Sequence, residues 1–220
     1  MKRAAAAIGA QLPADWQQRV RSILLGTPDR DPSAWRPERH PPELLEAARL
    51  RWPAVPIPAA VLVPIIDRPS APTLLLTTRA GHMRRHAGQV SFPGGRLEEG
   101  DADAVAAALR ETREEIGIEA GHINVLGFLP DQVVLTGYRV TPVVALVRPG
   151  FALRRDDSEV AEIFEMPLAR IADPDGFQDV NRQLYGVDVT LRELHFEGRI
   201  IWGATGAMLQ ALHEALVKQP

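Results

Sequence analysis

The chain has 220 residues, of which 45% are hydrophobic and 24% charged, a composition typical of a globular protein with one sizeable core. Its formal charge of −3 gives no general attraction for nucleic acid, and its apolar runs are too short to span a bilayer. The absence of cysteine excludes disulfides, thiolate zinc sites and cysteine nucleophiles.

The first 50 residues are predicted to form two short helices joined by an extended connector. Apolar residues at helical spacing predict a helix over residues 13–25, and Glu43–Leu50 reads as a second helix. The proline-rich segment Thr27–Pro42 between them is typical of a connector. We therefore predict an N-terminal extension over residues 1–50 and a catalytic domain over residues 51–220.

The rest of the chain predicts a sheet with one helix inserted in the middle and one at the end. A helix over residues 102–116 begins at Asp101 or Asp103 as N-cap and ends at Gly117, and Gly203–Val217 is the last helix. This order predicts an α/β or α+β domain with helices packed on a mixed sheet. The predicted strands are Ala59–Ile66, Thr73–Thr78, Gln89–Phe92, Ile123–Leu129, Val140–Val147, Ala161–Met166, Asp179–Tyr185 and Val189–Phe196.

Three glutamates lie on one face of the inserted helix. Glu111, Glu114 and Glu115 stand at positions i, i+3 and i+4, where each like-charged pair costs roughly 0.2–0.5 kcal/mol. A hard divalent cation is the simplest compensation, so we expect Mg²⁺, with Mn²⁺ able to substitute. A solvated helix face with Arg110 and Arg113 as ion-pair partners would explain the helix alone equally well.

A glycine-rich loop precedes this helix and favours the metal interpretation. The adjacent Gly94 and Gly95 follow Pro93 and let the backbone approach a ligand closely. We expect the Gly94 carbonyl to complete the metal shell and Gly95 to lie against the substrate. Pro-Gly-Gly alone is common in turns, but loop and helix together indicate a site for a metal and a phosphate.

The segment Arg110–Ile118, read together with Gly95, resembles the signature of the Nudix hydrolase family. In that signature a glycine, five residues, a glutamate and seven residues precede Arg-Glu-apolar-X-Glu-Glu-X-Gly-apolar. Thr112 replaces the apolar residue, and Asp101 occupies the first glutamate position with eight residues before Arg110 instead of seven. The resemblance implies the Nudix fold, a mixed β-sheet sandwiched between α-helices.

The resemblance also implies roles for the residues of the helix. Glu111 and Glu115 would be the main metal ligands, Glu114 a further ligand or the base, and Arg110 the residue that orients the carboxylates. The reaction would be metal-assisted attack of water on a diphosphate. The residue that accepts the proton from water is left open among Glu114, Glu159, Glu162 and Glu165.

The upstream segment Leu74–Gly95 is similar to the coenzyme A pyrophosphatase branch of that family. It contains Leu-Leu-Thr-X-Arg and Gly-Gln-Val-X-Phe-Pro-Gly-Gly, with Met83 where the branch usually has leucine. Gly137–Val144 and Ile201–Thr205 are also similar to the branch. A basic group in this segment is expected to bind the phosphates of coenzyme A, although a solvated basic turn is the alternative. Its members are Arg79, Arg84, Arg85 and His86.

Together these residues predict Mg²⁺-dependent hydrolysis of the diphosphate of coenzyme A or its derivatives, giving 3′,5′-ADP and 4′-phosphopantetheine or its acyl form. The alternatives are a Nudix enzyme for another nucleotide, such as ADP-ribose or a nucleoside triphosphate, and a non-catalytic Nudix-fold binding module. We expect a small-molecule substrate and neither nucleic acid nor membrane as partner. The apolar stretch after Lys2 and Arg3 is too weak for a signal peptide, so we expect a cytoplasmic protein, and a homodimer remains compatible.

Overall fold

The computed structural model of the protein describes residues 11–26, 42–49, 53, 55–68, 71–82 and 88–217. Most of the predicted connector Thr27–Pro42 therefore lies outside the described residues. The helices are α1 (Trp16–Ile23), α2 (Pro42–Arg49), α3 (Ala104–Ile116), α4 (Ala169–Ala172) and α5 (Gly203–Val217). The strands are β1 (Ile57–Ile66), β2 (Thr73–Arg79), β3 (Val90–Ser91), β4 (Gly94–Arg96), β5 (Ile123–Phe128), β6 (Gln132–Val133), β7 (Tyr138–Val147), β8 (Val160–Pro167), β9 (Phe177–Leu184), β10 (Val187–Phe196) and β11 (Arg199–Ile201).

A mixed sheet built around β1 forms the centre of the protein. β1 pairs in parallel with β7 along its whole length, and antiparallel with β4 near its start and β2 near its end. β2 carries β3 and β8, while β7 carries β5 and β6. The near-continuous apolar sequence of β1 is typical of a strand that is buried on both faces.

Helices cover both faces of this sheet. Ala60 and Leu62 of β1 share one hydrophobic cluster with Ala107 and Ala108 of α3. The alternate residues of β1, such as Val63, belong to a second cluster that includes α1 and α5. This arrangement confirms the predicted α+β fold, with a mixed sheet between helices. Among the described helices, none is long and apolar enough to cross a membrane.

A separate three-stranded sheet follows β8, in the order β11-β10-β9. Glu193 of β10 is fully buried there, and it is bonded by Arg182 of β9 and by His195 at 3.2 Å. The strands predicted over Asp179–Tyr185 and Val189–Phe196 are confirmed with small shifts at their ends. β11 was not predicted, because a three-residue strand carries too little sequence pattern.

The first helix is joined to the central core. Trp16 and Val20 of α1 are buried in the same cluster as α5, and Arg19 donates to the Leu216 carbonyl at 3.1 Å. Beyond α1, Leu25 exchanges two backbone hydrogen bonds with Phe128 of β5, of 2.9 and 3.0 Å. This pairing ends the helix at Ile23, two residues earlier than predicted. The domain boundary near residue 50 stays a prediction.

Replacing Trp16 with alanine tests whether α1 stabilises the folded protein. Trp16 is 9% exposed, so its loss should lower the free energy of unfolding by about 3–5 kcal/mol, through lost burial and a residual cavity. Denaturant unfolding measures this change, with Gln17→Ala on the exposed face of the same helix as control. A change no larger than that of the control would show that α1 adds nothing to stability.

Candidate functional site

The helix that carries the predicted acids, α3, begins after an N-cap residue and ends at a glycine. The Asp103 side chain accepts a hydrogen bond from Ala106 N at 2.8 Å, so Asp103 is the N-cap. Gly117 ends the helix in the left-handed conformation with φ of 79°, as glycine at this position favours. The end of the helix confirms the prediction, whereas its start is two residues later than predicted, with Asp103 as the N-cap of the two proposed.

Gly94 and Gly95 lie in a strand, β4, where the sequence predicted a loop. In the β1–β4 ladder Gly94 lies opposite Val61, between two hydrogen-bonded pairs, so its own N–H and C=O point away from β1. A side chain at Gly94 would lie 2.3 Å from Ala60 O, and its φ is 154°. Glycine is therefore required, and its polar groups are directed toward α3.

Glu115 is buried against this strand. Its side chain is 5% exposed, and one carboxylate oxygen accepts a hydrogen bond from Gly94 N at 3.2 Å. The other oxygen lies 3.9 Å from Arg79 Nη1. Burial raises the pKa of Glu115 to about 8, although Arg79 and the Gly94 amide act in the opposite direction. The predicted loop and helix thus meet at this carboxylate.

Glu111 lies one helical turn before Glu115 and packs against the second glycine. A side chain at Gly95 would lie 2.3 Å from Glu111 Oε1, so only glycine leaves room for this carboxylate. Burial raises the pKa of Glu111, while the neighbouring Arg110 lowers it. The two acids that were predicted as main metal ligands therefore lie side by side beneath β4.

Arg110 connects the acids to the loop. Its guanidinium donates to both carboxylate oxygens of Asp101, at 3.1 and 3.0 Å, and to Glu111 at 3.1 Å and Glu114 at 2.9 Å. It also donates to the Arg96 carbonyl at 3.0 Å. Arg110 thus contacts three carboxylates at once, and the orienting role predicted for it stays a prediction.

The sequence left the role of Asp101 open, and its contacts show that it is a partner of Arg110. Because Arg110 donates to it, and Glu98 N donates at 2.9 Å, the pKa of Asp101 lies below its usual value. Its carboxylate is therefore a partner of Arg110. Glu114, by contrast, is about half exposed and turns toward Arg110.

The candidate bases on β8 and before it differ in their partners. Glu162 is bound by Arg199 at 3.0 Å, which holds the pKa of that carboxyl below its usual value. Glu165 is bound by Arg68 at 3.1 Å. Glu159 has no such ion pair among the described residues, and its charge adds to burial in raising the pKa of both neighbouring acids of α3. Glu159 therefore lies in the same region as Glu111 and Glu115.

Of the predicted substrate-binding residues, the described part of the chain contains Arg79 and Gly95, and both lie at the acids of α3. Arg84, Arg85 and His86 lie outside the described residues. The partnership of Asp101 with Arg110 was missed. Their separation of nine residues, one longer than the family signature allows, was the signal that could have indicated it.

The donor chemistry fits a hard divalent cation. Within the described ranges, no three His, Asp or Glu side chains converge closely enough to hold a metal ion as they stand. However, burial raises the pKa of both Glu111 and Glu115, and the negative charge of Glu159 acts on both in the same direction. Carboxylate oxygens that repel one another in a partly buried place are suited to Mg²⁺ or Mn²⁺.

Comparisons with known proteins agree on one family. The family model described as NUDIX domain matches residues 56–185. An Escherichia coli K12 protein named "Uncharacterized Nudix hydrolase NudL" is 42% identical over 154 residues, covering 70% of this chain and 80% of its own length. The protein of the same name from Shigella boydii serotype 18 shows the same identity and coverage.

Solved structures similar to this chain are more distant. A MutT/nudix family protein from Enterococcus faecalis is 18% identical with a TM-score of 0.47, over 80% of this chain and 68% of its own. The Ap4A hydrolase of C. elegans is 21% identical with a TM-score of 0.45, over 53% of this chain and 86% of its own.

The raised pKa of Glu115 predicts how the stability of the metal-free protein depends on pH. Between about pH 4.5 and 8 the folded protein keeps a proton on Glu115 that the unfolded chain releases, so raising the pH favours unfolding. In EDTA, the melting temperature of the wild type should fall relative to that of Glu115→Gln across this range. Thermal unfolding at intervals of pH measures the difference, and saturating Mg²⁺ should remove most of it. A constant difference would contradict the assignment.

Proposed function

The chain belongs to the Nudix hydrolase family and is an enzyme acting on a diphosphate bond, and we propose that its substrate is coenzyme A or a derivative of it. The upstream segment supports this choice, because it has the motifs of the coenzyme A branch. The observation that carries it is the position of Arg79, the first basic residue of that segment, 3.9 Å from Glu115. A cation from the substrate-specific motif is therefore adjacent to the acids of the general Nudix motif.

In the proposed site, Glu111 and Glu115 hold Mg²⁺ together with the Gly94 carbonyl. When bound, the ion neutralises charge on the diphosphate and lowers the pKa of the attacking water. Arg110 keeps Glu111 oriented, and Glu114, half exposed, supports Arg110 rather than the substrate. Arg79 lies 3.9 Å from Glu115, and we expect it to bind a phosphate oxygen of the substrate when Glu115 binds the cation.

Glu159 is the residue we assign as general base. It lies within electrostatic range of Glu111 and Glu115, while Glu162 and Glu165 are occupied by Arg199 and Arg68. Water attacks phosphorus as Glu159 accepts its proton, and the bond from phosphorus to the bridging oxygen breaks. The bridging oxygen leaves with one half of the substrate, so coenzyme A gives 3′,5′-ADP and 4′-phosphopantetheine.

A second candidate is hydrolysis of another nucleoside diphosphate derivative, such as ADP-ribose. The acids of α3 and the glycines of β4 would serve any diphosphate equally, because none of them contacts a part that is specific to coenzyme A. The specificity of the proposal therefore depends on the upstream segment, of which Arg79 is described and Arg84, Arg85 and His86 are not.

A substrate panel tests the proposal directly. Coenzyme A, acyl-coenzyme A, ADP-ribose and nucleoside triphosphates are each incubated with the protein and Mg²⁺, and the products are identified by mass. We expect the highest kcat/KM with a coenzyme A substrate and masses of 3′,5′-ADP and 4′-phosphopantetheine or its acyl form. Faster cleavage of ADP-ribose would sink the coenzyme A assignment while leaving diphosphate hydrolysis in place.

Replacing Gly95 with alanine tests whether Glu111 binds the metal ion. The new methyl group would occupy the position of the Glu111 carboxylate and displace it, so turnover should fall about 10- to 100-fold and the Mg²⁺ needed for half-maximal rate should rise. Gly100→Ala is a matched control, because nothing lies within 4 Å of the added methyl group. Equal Mg²⁺ dependence in the two variants would remove Glu111 from the metal site.

A further inference from the structure

We infer that the segment Asp156–Val160, called here the 156–160 turn, fixes the position of Glu159 relative to the end of α3, and that Asp156 fixes the shape of this turn. The inference deepens the proposed function, since it depends on Glu159 acting as the base. The Asp156 side chain is exposed and bonds Ser158, and only the Asp156 backbone reaches Glu115. We therefore assign it a positioning role and no catalytic one.

The turn is attached to the helix that carries the metal-binding acids. Asp156 N donates to the backbone carbonyl of Glu115 at 2.9 Å, and Arg154 N donates to that of Ile116 at 2.9 Å. These carbonyls belong to the last turn of α3, where no partner within the helix is available. The backbone of the turn is consequently fixed relative to Glu115 itself.

The side chain of Asp156 closes the turn. Its Oδ1 accepts hydrogen bonds from Ser158 N at 2.8 Å and from Ser158 Oγ at 2.7 Å. The Asp156 carbonyl also accepts bonds from Glu159 N at 3.2 Å and from Val160 N at 2.9 Å. The direction in which the chain leaves Asp156 toward Glu159 is thus set by the aspartate.

The other side of Glu159 is attached to β2. Its carbonyl accepts a hydrogen bond from Ala80 N at 2.8 Å, one residue after Arg79, whose guanidinium lies 3.9 Å from Glu115. A closed ring of contacts therefore runs from Glu115 through Asp156 and Glu159 to Ala80 and Arg79, and back to Glu115. Loss of the Asp156 side chain would loosen only the turn, since the backbone bonds to α3 and β2 remain.

Proton transfer depends steeply on geometry, so a looser 156–160 turn should lower the reaction rate more than it lowers the stability of the fold. A displacement of about 1 Å can lower a rate by about 100-fold, while an exposed side chain of this kind contributes little to stability. We expect Asp156→Ala to lower kcat about 10- to 100-fold with KM and melting temperature nearly unchanged. Asp156→Asn keeps Oδ1 as an acceptor and should restore most of kcat.

The neighbouring residues supply graded controls. Ser158→Ala removes one of the two bonds to Oδ1 and should have an effect smaller than that of Asp156→Ala. Asp157→Ala removes an aspartate whose side chain is 80% exposed and pairs with Arg155, and should leave kcat unchanged. Loss of activity in Asp157→Ala equal to that in Asp156→Ala would overturn the inference, because general loss of negative charge would then explain both.

A double-mutant cycle with Glu159→Gln gives the decisive measurement. If Asp156 acts through Glu159, adding Asp156→Ala to Glu159→Gln should lower kcat by less than about twofold, although each change alone lowers it strongly. Multiplicative losses would mean that Asp156 acts elsewhere and would overturn the inference. Full activity of Glu159→Gln would overturn it as well, by removing the base.

The cycle is measured on whichever diphosphate the wild type cleaves fastest in the substrate panel. Failure to cleave coenzyme A would thus reject the substrate proposal without affecting the comparison among variants. Conversely, multiplicative losses on coenzyme A would reject the role of Asp156 and leave the substrate proposal standing.

Discussion

The burial of the Glu115 carboxylate against the edge of β4 is the interaction on which the rest of the site depends. An acid with 5% of its side chain exposed is disfavoured unless hydrogen bonds and a nearby positive charge compensate its ionised form. Here one backbone amide and a distant guanidinium compensate only in part, so its pKa lies near 8. A divalent cation bound beside Glu115 can therefore stabilise its ionised form. β4, which packs against Glu115, is paired with β1, and β1 is paired with β7 along its whole length.

Two kinds of contact surround that carboxylate. Glycines at 94 and 95 bring backbone within reach of the acids where a side chain would collide with Ala60 or Glu111. Arg110 aligns Asp101, Glu111 and Glu114 through hydrogen bonds. The helix therefore offers one buried carboxylate, Glu115, and one that Arg110 orients, Glu111. This division explains why acids of similar sequence context differ in exposure and partners.

Much of this could be predicted from the sequence, because it is encoded locally. The boundaries of α3 follow from the chemistry of one cap and one glycine, and helical periodicity alone puts its acids on one face. What could not be predicted depends on residues far apart in the chain. β4 is a strand because β1 passes beside it, and Glu162 is ion-paired because Arg199, nearly forty residues later, binds it. The function of Asp101 depends on the curvature of a loop, which periodicity does not describe.

The contact between the two ends of the chain has a consequence for biosynthesis. Arg19 of α1 bonds the Leu216 carbonyl of α5, a separation of 197 residues, and both helices bury side chains on the same face of the sheet. During translation α1 is made well before α5, so this contact cannot form until the residues between the two helices have also been made. Contacts of such separation are slow to form, and apolar surface stays exposed until they do. This face of the sheet therefore closes only when α1 and α5 meet.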